Sequence, residues 1–127
     1  MRSFTETLVI QFEAGNRWML AKEFTYHVGH VGSGETITVP VGFTTDLASI
    51  PALFLPFVAN KQEYQQAAVL HDWLVNKPET HPYNHKEASK IFYEAMLVLG
   101  VPKYRARSLY WAVLFFGVKS KKMLKRS

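Results

Sequence analysis

The chain contains no cysteine. Disulfides, thiolate metal sites and a cysteine nucleophile are therefore excluded. Long apolar runs are missing too. The longest, "LYWAVLFFGV" at 109–118, has ten residues, against the roughly 20 that span a bilayer, and it reads as a buried helix. The N-terminal "MRSFTETLVIQFE" has no continuous apolar stretch, so no signal peptide and no transmembrane segment are expected. "GHVGSG" lacks the Gly-Lys-Ser/Thr ending of a phosphate loop and opens no helical pattern. Acidic residues are absent from 102–127, which carry eight Lys or Arg, whereas residues 1–101 hold seven basic and ten acidic groups. The body is slightly acidic and one end is basic. That end is a solvated tail or a contact for phosphate, an anionic lipid head or an acidic protein surface.

What is present is an ordinary globular composition. The 127 residues are 48% apolar and 20% charged, enough for one core and unlike a disordered chain. We read residues 1–118 as a single α+β domain and 119–127 as a basic tail. Residues 5–13 alternate loosely. Residues 17–28 alternate well, with Trp18, Leu20, Phe24, Tyr26 and Val28 on one face and Lys22 as the interruption. In "TITVPVGF", Ile37, Val39 and Val41 share a face, and Pro40 marks an edge or a strand end. This predicts a small antiparallel meander of about three strands.

The second half changes period. Tyr64, Ala67, Ala68, His71, Leu74 and Val75 form one helical stripe. Asn84 with Glu87 has the capping-box form. Ala88, Ile91, Phe92, Ala95, Met96 and Leu99 make the next stripe, Gly100 ends it, and Pro102 opens a third helix with Ala106, Leu109, Tyr110, Val113 and Phe116 facing inward. Strands first and about three helices after them predict an α+β fold, the meander packed on the helices.

Two stretches carry candidate chemistry. "VGFTTDLASIP" places Thr45, Asp46 and Ser49 between apolar segments, and "AAVLHDWLV" places His71 and Asp72 inside an apolar helix pattern. An imidazole on the buried stripe needs partners for its ring nitrogens. Asp46 is the natural one if the helix packs on the sheet, which would make a carboxylate-oriented base. Thr45, Ser49 and Asp72 would then position a substrate or a cation. The alternative is a structural clasp, with Asp46 and Ser49 shaping the turn through local backbone bonds. His81 and His85 are spaced by three residues, but Pro82 breaks the helix that such a metal pair needs. No metal and no cofactor are assigned. Trp73, Tyr104, Tyr110, Trp111, Phe115 and Phe116 could form a stacking platform beside basic residues, but their helical spacing predicts core.

The blocks "VPVGFTTDLASIP", "AAVLHDW" and "EASKIFYEAMLVLGVPKYRARSLYWAVLFFG" resemble a family of tailed phages and prophages catalogued as a domain of unknown function (1353 series), over roughly residues 35–118. The resemblance implies a phage product of the tail or host-entry module. The His71-Asp72 step is also similar to the helix of phospholipase A2-type enzymes. That likeness implies His71 as the base and Asp72 as a calcium ligand. The chain departs from it at Val75, where a tyrosine is expected, at Ser89, where the orienting aspartate is expected, and in lacking a glycine cluster before the helix.

Three functions follow as expectations. The first is a virion-associated structural or accessory protein, found in the particle or in host cytoplasm during assembly, whose partners are other phage structural proteins. The second is a small hydrolase acting on a cell-envelope ester, amide or glycan bond. The third is a nucleic-acid-binding accessory protein acting through the basic tail, the least favoured of the three.

Overall fold

The computed structural model describes residues 4–5, 8–12, 17–29, 32–45 and 62–126, with backbone alone at 12, 62–63 and 116–126. The chain forms two compact units, Met1–Asp46 and Leu47–Ser127. The first is β and the second α, so the α+β class stands. Among the described residues, no helix is long and apolar enough to cross a membrane.

Among the described residues the first unit has five short strands in two sheets: β1 (Ile10–Phe12), β2 (Trp18–Leu20), β3 (Phe24–His27), β4 (Thr36–Val39) and β5 (Thr44–Thr45). The expected single strand over 17–28 is two strands, broken by a bend at Ala21 and Lys22. All pairings are antiparallel. β2 lies between β1 and β5, in register Ile10 with Leu20 and Trp18 with Thr45. β3 and β4 form a separate hairpin, in register Phe24 with Val39 and Tyr26 with Ile37. Alternation then buries one face of the hairpin: Phe24, Tyr26, Ile37 and Val39 are buried. Phe4 covers them, its ring 4.6 Å from that of Tyr26 and 5.6 Å from that of Phe24. On the other face the hydroxyls of Thr25 and Thr38 lie 2.8 Å apart, a cross-strand pair.

Pro40 directly follows the last residue of β4, where its missing N–H breaks no ladder bond. A turn then carries the chain from the hairpin to the other sheet. Phe43 N–H donates to the Pro40 carbonyl over 3.3 Å, and Gly42 has φ +91°, as the third residue of a type II turn requires. Beyond the turn Leu20 N–H donates to the Phe43 carbonyl, which seats β5 on β2.

Among the described residues the second unit has three helices: α1 (Gln62–Asn76), α2 (His85–Val98) and α3 (Lys103–Arg126). A single 3₁₀ turn, Pro78–Thr80, follows α1. The backbone of α3 stays helical to Arg126, so the basic segment that the sequence marks as a tail continues the third helix. α2 packs against both α1 and α3. Its start is the expected capping box: the Asn84 side chain accepts from Glu87 N–H at 2.8 Å, and Glu87 accepts from Asn84 N–H at 2.9 Å. Its end is a Schellman motif. Gly100 at φ +95° donates to the Leu97 carbonyl, and Val101 N–H donates to Met96. The residues facing inward from α2 are Ala88, Ile91, Phe92, Ala95 and Met96, joined by Ser89.

Candidate functional site

Tyr64, Ala67, Ala68 and Leu74 of the apolar stripe of α1 are buried as expected, and His71 with them, whereas Val75 is half-buried. His71 has no exposed surface. The burial of α1 extends further than the stripe: Gln66, Val69, Leu70 and Asp72 are also buried. Asp72, expected to position a substrate or a cation, is 2% exposed. Two adjacent polar side chains therefore sit inside the protein on the same helix, a costly arrangement unless each is satisfied.

The ring of His71 lies against Phe92 of α2, with centroids 5.0 Å apart and planes at 38°. Burial pushes the His71 pKa down from its ordinary 6.5 to about 3, and the nearby His85 adds to the shift. The cause is elementary: an imidazolium placed here would lose its hydration, and positive charge on His85 would repel it. His71 is therefore neutral at physiological pH. The Asp72 carbonyl accepts from the Asn76 side chain at 2.8 Å.

His85 opens α2 and reaches α3. Its Nε2 is 3.2 Å from the carbonyls of both Val113 and Leu114. Since a carbonyl only accepts, Nε2 carries a proton and donates to them. One turn on, the Ser89 hydroxyl donates to the His85 carbonyl at 3.0 Å and is fully buried. Ser89 is thus satisfied inside its own helix and does not take the part of an orienting carboxylate. His85, Ser89 and Phe92 fall at i, i+4 and i+7 on α2, a helical signal that the sequence reading passed over by pairing His85 only with His81.

His81 is engaged elsewhere. Its Nδ1 accepts from Tyr83 N–H at 3.0 Å, so Nε2 holds the proton and donates to the Leu74 carbonyl at 2.8 Å. Leu74 lies in the last turn of α1, where carbonyls have no partner within the helix. Among the described residues, no three His, Asp or Glu side chains gather as a metal site.

Of the expected site residues, His71 and Asp72 are brought into one buried environment. Thr45 is buried in β5, opposite Trp18. Asp46 and Ser49 lie outside the described residues, and with them the expected pairing of Asp46 with His71.

On the far side of α3 the expectation of core is overturned. Tyr104, Trp111 and Phe115 are 68%, 48% and 65% exposed. The buried side of the helix is already supplied by Ala106, Leu109, Ala112 and Val113, and these aromatics fall outside that arc. The described part of that run, residues 109–115, thus has both buried and exposed side chains, and Phe116, expected to face inward, lies outside the described side chains.

Two relatives carry a similar stretch. The uncharacterized protein y4iH of Sinorhizobium fredii is 44% identical over 75 residues, 58% of this chain and 30% of the relative. The uncharacterized protein y4jT of the same organism is 36% identical over 81 residues, 62% of this chain and 23% of the relative. The chain thus spans less than a third of the length of either. No solved structure matches it. The match that takes in β2, Thr45, the buried His71 and Asp72 and most of the described α3 side chains is to the family described as "Protein of unknown function (DUF1353)", over residues 18–113, and the chain belongs to that family.

Proposed function

We propose that this chain is a virion-associated structural or accessory protein of a tailed phage, from the tail or host-entry module, and that His71 and Asp72 act in it as a buried clasp. The observation that carries the clasp is the state of His71: no exposed surface, a ring against Phe92 and a pKa near 3. A general base must reach the proton it removes and works best with a pKa near the operating pH. His71 meets neither condition in this conformation. The phage assignment is supported by the family's occurrence in tailed phages and prophages, which the sequence resemblance implies. A small unit that recurs as a minor part of longer relatives suits a module that binds its neighbours. Its partners are other structural proteins of the particle, and its place is the particle, or host cytoplasm during assembly.

The test is a phage or prophage encoding the chain. Purified particles are expected to contain it in fixed stoichiometry, and His71→Ala is expected to lower its melting temperature and its incorporation together. Absence from the particle would overturn the assignment.

A hydrolase acting on a cell-envelope ester, amide or glycan bond is the second reading. One observation favours it: two adjacent ionisable groups are held in a buried setting and the pKa of one, His71, is strongly shifted, as in working sites. Envelope fragments incubated with the protein separate the two readings. Bond cleavage that His71→Gln abolishes without lowering the melting temperature selects the enzyme.

A further inference from the structure

α3 has two apolar sides, and only one is covered. Ala106, Leu109 and Val113 are buried on one side, whereas Tyr104, Trp111 and Phe115 line the other. Such a helix leaves a surface without a partner. The uncovered side borders a groove of about 830 Å³ between α2 and α3. Tyr93, Tyr110 and Trp111 supply its rings, and Lys90, Glu94 and Arg107 its charges. The rings form a connected series: Tyr93 to Tyr110 at 5.7 Å, Tyr110 to Trp111 at 5.5 Å edge-on, and Trp111 to Phe115 at 5.5 Å and 16°, stacked.

We propose that this groove binds single-stranded nucleic acid, its bases stacking on the Trp111–Phe115 series and its phosphates meeting Arg107 and Lys90. Charge complementarity selects the occupant. Residues 102–127 hold eight Lys or Arg and no acid, and Lys103, Arg105 and Arg107 are all exposed. A polyanion that also presents flat apolar faces matches rings interleaved with cations. A second copy of the chain would bring like charges together. A lipid surface would have to desolvate Lys90, Glu94 and Arg107, which sit among the rings. Arg105 lies 5.7 Å over the Tyr104 ring, and its pKa is held above its ordinary value by a hydrogen bond to the Tyr64 side chain and by Tyr104. Arg107 and Lys90 line the groove and are its cations.

The experiment is fluorescence anisotropy of a labelled single-stranded oligonucleotide of about 20 nucleotides with the full chain, repeated with the duplex of the same sequence and with vesicles containing an anionic lipid. The single strand is expected to bind better than the duplex. Trp111→Ala should weaken binding about ten-fold, and Trp111→Phe should restore most of it. Arg107→Gln should flatten the logarithmic salt dependence by about 0.7. All three residue changes lie on exposed positions, and an unchanged melting temperature confirms that the fold is intact. Equal binding of single strand and duplex, unaffected by Trp111→Ala, would reduce the interaction to charge attraction and overturn the proposal. Binding to vesicles alone would overturn it in favour of a membrane.

Discussion

The His71 imidazole of α1 stacks obliquely on the Phe92 ring of α2, 5.0 Å between centroids, with neither ring reaching solvent. This contact joins the two stripes that make the helical unit, so its removal should be read mainly in stability. Phe92→Ala is expected to cost about 3–5 kcal/mol, the range for emptying a buried aromatic site. Chemical denaturation measures it. A loss below about 1 kcal/mol would mean that the site collapses freely and that the contact does not hold the unit together.

The same contact sets a pH dependence. In the unfolded chain His71 titrates at its ordinary 6.5, and in the folded protein at about 3. Between those values the unfolded state binds the extra proton. Stability from this group is thus fully present above about pH 6.5 and is lost as pH falls toward 3. The slope is at most about 1.4 kcal/mol per pH unit. Denaturation midpoints measured from neutral pH to pH 4 should fall for the wild type, and His71→Gln should remove about one proton's share of that fall. Identical pH profiles for the two proteins would show that His71 is not buried as a neutral ring.

The caps of α2 make a local test. Asn84→Ala removes the acceptor for Glu87 N–H and is expected to cost about 1 kcal/mol. Gly100→Ala should cost about as much for a different reason. A side chain added there meets nothing within 4 Å, so the penalty is the positive φ alone. The two sites lie at opposite ends of the helix and share no partner, so the double variant should show additive losses. A large departure from additivity in thermal denaturation would mean that the helix frays as one unit.

How far these features were legible in the sequence follows from how local each one is. The capping box at Asn84 and the stop at Gly100 use residues three to five apart, and both were read correctly. The break between β2 and β3 was hidden because the turn at Ala21 and Lys22 preserves the parity of alternation from Trp18 to Tyr26, so the pattern passes through it unchanged. The burial of Asp72 needed a wider stripe on α1 than the ideal one. Val69 and Leu70, apolar and outside that stripe, were the available sign. The exposure of Trp111 and Phe115 could not be read from period. Residues 109–116 are apolar on every side, and a helix without a polar face gives periodicity nothing to detect.

His81 offers a final test, of a loop side chain that could be mistaken for a ligand. Nδ1 accepts from Tyr83 N–H and Nε2–H donates to the Leu74 carbonyl, so the ring ties the loop to the last turn of α1 and has no lone pair to give a metal. His81→Ala should therefore destabilise the protein by about 1 kcal/mol, the net worth of a typical intramolecular hydrogen bond. Added zinc should leave the wild-type melting temperature unchanged. The contrary result is specific. A zinc-dependent rise in melting temperature that His81→Ala abolishes would require the ring to leave Leu74, and would make this histidine a ligand held in reserve by the end of a helix.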